Sequence, residues 1–486
     1  MNNEKKYFTP LKINENEYNQ NEQQLLKFFI ENYLMSDSKK NKHKEHDINI
    51  TEKYLELIIR PECNQTCEYC YLYKYGKDLY PTRINKEETL KNIDLILDYF
   101  YIQNNTYSYH IQLFGGDLFY DDILFDIFDL LEKYFIELKN KYPFIFFETT
   151  NIMIPSNLSV IVERPEIKEK LLKYIDKFYD TFKARIRFSW STDGIINIDT
   201  REKKELNEEY FDTIFNFCKK AGGWYHPMIS AQNVFNQKEN YKWWIEKINN
   251  LYDEDDTNDF QPMFLEVRND EWTQESIDAY LEFLTFAMEE RYKMCNKDFK
   301  DLAHHLFDGT NSTLKSSYNY DFLKIHLEMI NNNNLEAEGM TCAIQKSIIF
   351  NCTNLSLVPC HRTSYAQFTA GYFQVENDKI VDILPQNVSS YITIHTLNKK
   401  NLPMCIKCPI NDICLHGCLG AQYEKAGDLL LTCNSVCSMF KQKFYHLFKL
   451  YNEYNLFNIA LEENLISEDL LKNIYKIIEG LEEELL

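Results

Sequence analysis

Residues 60–73 read RPECNQTCEYCYLY. Cys63, Cys67 and Cys70 form C-x3-C-x2-C directly behind Leu55–Ile59, a short apolar run with the length of a buried strand. Three thiolates on one short loop can hold three irons of a four-iron cubane and leave the fourth iron open. An open iron is where a small molecule with an amine and a carboxylate can chelate. A structural zinc ion is the competing use of such thiols. Zinc wants four protein ligands, and no fourth Cys or His lies nearby in sequence.

From Lys53 onward, short apolar runs alternate with longer runs of helical spacing. Strands are expected at Leu55–Ile59, His110–Phe114, Phe144–Asn151, Ile186–Ser191, Met228–Val234 and Met263–Val267. Helices are expected at Glu87–Tyr101, Asp122–Phe135, Ile167–Phe182, Tyr210–Ala221 and Tyr241–Leu251. Alternation of this kind builds βαβ units and a parallel sheet. Six repeats are too few to close an eight-stranded barrel. The expected fold class is therefore α/β, a partial (β/α)6 TIM-like barrel over residues 51–270. Residues 1–50 form an N-terminal helical and flexible segment, with a helix at Asn21–Leu34 and then the charged stretch SDSKKNKHKEHD. Residues 271–335 form a helical bridging region that opens with Trp272–Met294, residues 336–445 a cysteine-rich domain, and residues 446–486 C-terminal helices.

Composition narrows the function. The chain has 486 residues and a formal charge of −21, which argues against a protein that grips phosphate backbones. No nucleic-acid partner is expected. The start, MNNEKKYFTPL, has no apolar signal region, and no apolar run approaches the ~18 residues of a membrane span. A cytoplasmic location away from membranes is expected. In a reducing compartment, clumped cysteines ligate metals or clusters rather than pair as disulfides. Eleven of the 14 cysteines fall into two patterned groups, with Cys218, Cys295 and Cys433 outside them.

The second group lies in MCIKCPINDICLHGCLG, where Cys405, Cys408, Cys414 and Cys418 form C-x2-C-x5-C-x3-C. Cys437 follows, with Phe440-Lys441 behind it, and Cys342, Cys352 and Cys360 lie upstream. Seven or eight thiols exceed one zinc site.

At these residues the chain resembles the radical S-adenosylmethionine (SAM) superfamily with a C-terminal SPASM domain, of the peptide- and protein-maturase type. Tyr69, the aromatic before the last cysteine of the first loop, matches. Phe114-Gly115-Gly116-Asp117 resembles the family's GGE motif, which receives the SAM amino group; glycines there let backbone approach a ligand closely. Asp117 replaces Glu, and Leu118 the usual proline. Thr150-Asn151 is similar to a TN pair expected at the end of the third strand, and Ser191-Thr192-Asp193-Gly194 to the SxDG that ends the fourth. Asp199 and Arg201 follow, like an Asp…Arg element of the family.

The resemblance implies three [4Fe–4S] clusters. Cys63, Cys67 and Cys70 would hold the SAM-binding one. Cys405, Cys408, Cys414 and Cys437 would hold the first auxiliary cluster. Cys342, Cys360 and Cys418, with Cys352 as a possible fourth, would hold the second. Cys433 is an alternative to Cys437, and Leu355 stands where the family often has glycine. Gly115, Gly116, Asp117, Asn151, Ser191, Asp193 and Arg201 would line the SAM site. The implied activity is hydrogen abstraction from a peptide or protein by a 5′-deoxyadenosyl radical, followed by oxidative formation of a thioether or carbon–carbon crosslink. A sulfatase-maturing oxidase, a cofactor-biosynthesis dehydrogenase and a peptide epimerase stay open as alternatives, although His361-Arg362 stands where sulfatase-maturing relatives place an acid. A flavodoxin- or ferredoxin-type reductant is implied as a partner, and a separate leader-recognition protein is a further possible one.

Overall fold

In a computed structural model, the chain is described at residues 15–35, 48–82, 84–119, 121–192, 194–195, 207–251, 261–262, 264–307, 322–325, 343–397, 402–414 and 418–485. One sheet of eleven strands organises it. Strands β1 (Tyr54–Arg60), β2 (His110–Gly115), β3 (Thr150–Ser156), β4 (Ala184–Thr192) and β5 (Gly223–Ile229) lie side by side in chain order, each parallel to the next. Two short strands, β6 (Gln261–Pro262) and β7 (Leu265–Glu266), both pair with β5 and fill the sixth position. The sheet does not close, so the expected α/β partial barrel is what the chain forms.

Helices alternate with the strands: α1 (Glu15–Phe29), α2 (Tyr71–Leu79), α3 (Lys86–Leu97), α4 (Ile123–Lys141), α5 (Pro165–Phe182), α6 (Glu208–Ala221) and α7 (Gln237–Leu251). Local chemistry sets their ends. Asn85 accepts from the Glu88 N–H as half of a capping box at α3, and Asn207 caps α6. Pro165 stands in the first turn of α5, where its missing N–H costs nothing. The apolar faces of α4 and α5 meet through Phe128, Phe135 and Phe178, with Phe135 and Phe178 rings 6.1 Å apart.

Two strands are displaced from their expected positions. The run after Pro143 buries Ile145 and Phe146 in a short 3-10 turn, Pro143–Phe147, and the third strand starts only at Thr150. The fifth strand begins at Gly223, five residues before the expected Met228. Gly222, at φ +77, ends α6, and Gly223, at φ +128, packs so closely that a Cβ would fall 2.2 Å from the Phe188 carbonyl oxygen.

Beyond the barrel come α8 (Gln274–Met294) and α9 (Phe299–Phe307). The chain then returns to the sheet. Strand β8 (Ser347–Asn351) pairs parallel with β1, Ser347 opposite Tyr54 and Asn351 opposite Ile58. Strands β9 (Ser356–Val358), β10 (Gly371–Glu376) and β11 (Lys379–Pro385) continue outward as antiparallel neighbours. The first strand is thus flanked on both sides, which suits its nearly continuous apolar sequence. Helices α10 (Val388–Thr396), α11 (Leu419–Ala426), α12 (Asn434–Glu453), α13 (Leu456–Glu462) and α14 (Glu468–Leu485) complete the chain. Helix α1 packs against β11, with Lys27 2.8 Å from Asp382. No described helix is long and apolar enough to cross a membrane.

Candidate functional site

A cavity of about 770 Å³ opens at the carboxyl ends of the parallel strands. Cys63, Cys67 and Cys70 line it, and so do Gly115 and Gly116 behind β2. Ser156 and Asn157 reach it from the end of β3, Ser191 from β4 and Arg268 from behind β7. Ligands of parallel α/β sheets bind at this edge.

The cysteine loop is held from three sides. Cys70 closes a turn onto the Cys67 carbonyl at 3.0 Å and begins α2. Asn157 Nδ2 donates to Asn64 Oδ1 at 2.8 Å, and Asn64 Nδ2 donates to Ser159 Oγ at 3.0 Å. Asn269 Nδ2 donates to the Tyr69 carbonyl at 2.9 Å. The N–H groups of Gly116 and Asp117 donate to the Arg60 and Glu62 carbonyls at 2.9 and 2.7 Å. The two glycines therefore let the second strand's loop close onto the cysteine loop. A Cβ on Gly116 would sit 2.0 Å from the Glu62 carbonyl oxygen, and one on Gly115 2.7 Å from that of Arg60.

Two expected SAM contacts, Asp117 and Asn151, are not among the residues that line the cavity. Asp117 is buried at 2% exposure, and its Oδ1 accepts the Phe119 N–H at 3.0 Å. Its side chain turns into the core rather than toward the cavity, and burial raises its pKa. Asn151 stands at the start of β3, opposite His110, at the far end of the sheet from the cavity. The strand delivers Ser156 and Asn157 to the mouth instead. Asp193, Asp199 and Arg201 lie outside the described residues.

A second cavity, about 310 Å³, gathers thiols from the C-terminal region. Cys405, Cys408, Cys414, Cys418, Cys433 and Cys437 all line it. Tight turns place the first three: the Cys408 N–H donates to the Cys405 carbonyl at 3.1 Å and the Cys414 N–H to the Ile410 carbonyl at 2.7 Å. Cys433 is the N-cap residue of α12, and the Cys437 N–H bonds its carbonyl at 2.9 Å. Four residues apart on a helix, both thiols share a face. Cys433, the alternative to Cys437, thus belongs to the same wall. Burial pushes the Cys408 and Cys437 thiols up, and the nearby Lys441 ammonium opposes it.

The upstream cysteines separate. In the β8–β9 pair, Ile349 faces Val358 and Phe350 faces Leu357. Cys352 packs with Phe350 and Leu357 on one face, whereas Cys360 packs with Ile349 and Val358 on the other. Cys352 is fully buried among apolar side chains, and its pKa is strongly raised. That placement sets Cys352 apart from Cys360. Cys342 lies outside the described residues. Leu355, between β8 and β9, takes the left-handed conformation at φ +50, so the turn keeps a glycine-like backbone without glycine.

Arg362 joins the two regions. Its guanidinium lies 5.0 Å over the Tyr71 ring, one residue past Cys70, and its Nε donates to Glu424 Oε1 at 2.6 Å. Glu424 sits on α11, which Cys418 caps, and the Arg362 stem occupies the space a side chain at Gly420 would need. Beside it, His361 Nδ1 is 2.7 Å from Glu56 Oε1, and the imidazole stacks on Phe114 at 3.8 Å. Sequence reading singled out neither Glu56 nor Arg268, which bear no motif.

The donor chemistry fits iron–sulfur clusters. Among the described residues, no three Cys, His, Asp or Glu side chains converge closely enough to share a single metal ion. A cubane needs no such point, because each thiolate binds a different iron.

No family model and no curated protein matches the chain. Solved structures do. The chain is similar to native anSMEcpe with bound AdoMet, at 16% identity and a TM-score of 0.49 over 83% of this chain and 99% of that one. It is similar to SuiB of Streptococcus suis bound to S-adenosylmethionine, at 13% identity and a TM-score of 0.41 over 89% and 83% of the two chains. At such identities and TM-scores below 0.5, what the chain does has to be read from its own residues.

Proposed function

We propose that the chain is a radical SAM enzyme that oxidatively modifies a peptide or protein. The observation that carries this reading is the convergence of Cys63, Cys67 and Cys70 with Gly115, Gly116 and Ser191 on one cavity at the carboxyl edge of a parallel sheet. A four-iron cluster on these thiolates would supply, once reduced, the electron that splits the SAM sulfonium. The chain's own part is placement. Asn64, Asn157 and Asn269 fix the cysteine loop. Gly115 and Gly116 seal backbone against it, and Ser191 and Arg268 offer a hydroxyl and a cation to a polar ligand in the cavity. The cavity has room for a cofactor and a substrate side chain together.

The second cavity supports an auxiliary cluster on Cys405, Cys408, Cys414 and either Cys437 or Cys433. A further cluster would take Cys342, Cys360 and Cys418. With Cys352 on the opposite face of the sheet, that set has three thiols and leaves one iron position for a substrate thiolate. Iron–sulfur carriers beyond the first favour a net oxidation, and an open position favours thioether formation over a carbon–carbon bond. The test is anaerobic turnover of a cysteine-containing candidate peptide, such as one encoded beside this chain, with SAM and a reductant. The product should be lighter by about 2 Da per modification, the mass of two hydrogens. A product of unchanged mass carrying solvent deuterium would identify an epimerase instead.

A further inference from the structure

The large cavity has a charge opposite to that of the chain around it. The sequence carries 74 acidic and 53 basic residues, yet the cavity wall holds Lys74, Lys77, Arg268 and Arg362 against one carboxylate, Glu266. That carboxylate is neutralised by Lys443, and Arg362 is neutralised by Glu424. Lys74 and Lys77 remain as cations of the wall.

Lys74 and Lys77 lie three residues apart on α2, so they project from the same side of the helix at the cavity mouth. Neither makes an ion pair with a described residue. Lysines elsewhere on this acidic surface do find partners: Lys86 pairs with Asp126, Lys133 with Asp94, and Lys247 with Asp212. Glu68 and Asp270 share a smaller recess with Lys74. Neither carboxylate forms an ion pair with it, and Asp270 is held toward the backbone by the Ala231 N–H at 2.7 Å and the Glu271 N–H at 3.1 Å. Beside the lysines, Tyr73 is 62% exposed and offers an aromatic face to an incoming chain.

We infer that this mouth recognises an acidic peptide, with Asp or Glu flanking the residue to be modified. The inference rests on the cavity being the substrate site. Complementary charge steers such a segment to the entrance, while a chain of net charge −21 repels it elsewhere.

The test uses the full-length, iron-reconstituted protein with SAM and three fluorescein-labelled peptides that differ only in carrying Glu, Gln or Lys at the same positions. Anisotropy should show the Glu peptide binding roughly 10-fold tighter than the Gln peptide at low ionic strength, with the gap narrowing as salt is added. In the K74E/K77E variant the order should invert toward the Lys peptide. Equal binding of the Glu and Gln peptides by the unaltered protein overturns the inference, and so does an unchanged order in the variant. It is also overturned if the variant alters only the rate of reduction by an acidic electron-transfer protein. Iron content and dithionite-driven SAM cleavage in the same preparation report separately on the cofactor reading.

Discussion

Gly116 has no room for a side chain, because the Glu62 carbonyl oxygen would lie 2.0 Å from its Cβ. Gly116→Ala should push the cysteine loop away from β2, cost about 1–3 kcal/mol of stability and lower iron uptake by the first site. Iron content and chemical denaturation check it. The neighbouring Asp117 behaves differently from its motif. Its carboxylate serves the Phe119 N–H, so Asp117→Ala should cost about 1–2 kcal/mol through a lost hydrogen bond. Asp117→Asn keeps an acceptor and should leave SAM affinity unchanged. Because burial raises the Asp117 pKa above 3.8, the native state holds this proton more tightly than the unfolded chain. Its contribution therefore favours folding at low pH and falls as pH rises through the raised value. The Asn variant should lose that fall, which urea midpoints measured against pH would show. Weaker SAM binding at normal stability in the Asn variant would return the side chain to the cofactor. The motif Gly115-Gly116-Asp117 was legible in position: the two glycines line the cavity, while the Asp117 side chain is spent on the Phe119 N–H. Spacing shows which residues follow a strand, but not whether they face a ligand or a neighbouring loop.

Among the elements, helix positions were read best, because α3 to α7 carry long amphipathic patterns and, at α3 and α6, side-chain caps. The third strand was misplaced because FIFF and NIMI are both apolar, and periodicity cannot say which one enters the sheet. That slip carried Asn151 to the cavity in expectation and hid Ser156 and Asn157. Cys352, offered as a possible fourth ligand, sits apart from Cys360 for a related reason, since a one-residue change of parity in a strand selects the opposite face. Cys352→Val should therefore leave the iron count of the reconstituted protein unchanged, whereas Cys360→Ala should lower it. A loss of iron in the Cys352 variant would contradict the placement of β8. The last barrel strand is joined to α12 by a buried Glu266–Lys443 pair that also takes the Tyr280 hydroxyl at 2.7 Å. Burial opposes the Glu266 charge, but Lys443 and Tyr280 together hold its pKa below 4.5. Its contribution to stability is present above pH 4.5 and is lost as pH falls below it. Lys443→Met strands a buried carboxylate and should cost about 3–5 kcal/mol, read from denaturant unfolding at neutral pH.

At the scale of the whole molecule, the cysteine-rich region is built onto the barrel. Strand β8 extends the barrel sheet beside β1 although nearly three hundred residues separate them in the chain. No local pattern encodes a pairing at that distance, so residues 51–270 and 336–445 read as separate units in sequence although one sheet has strands from both. The consequence is that the cavity lined by Cys63, Cys67 and Cys70 and the cavity lined by the C-terminal thiols share a wall residue, Arg268. Proximity of that kind is what a one-electron oxidation needs. The central claim is that the first loop carries the cluster on which SAM is cleaved. The direct measurement is anaerobic reconstitution of the unaltered chain and of the Cys63→Ala/Cys67→Ala/Cys70→Ala variant, with iron counted and 5′-deoxyadenosine followed after reduction by dithionite. The unaltered chain should hold about twelve irons and form 5′-deoxyadenosine. The variant should hold about eight and form none. Equal iron in the two proteins, or SAM cleavage that survives loss of the three thiols, would contradict it.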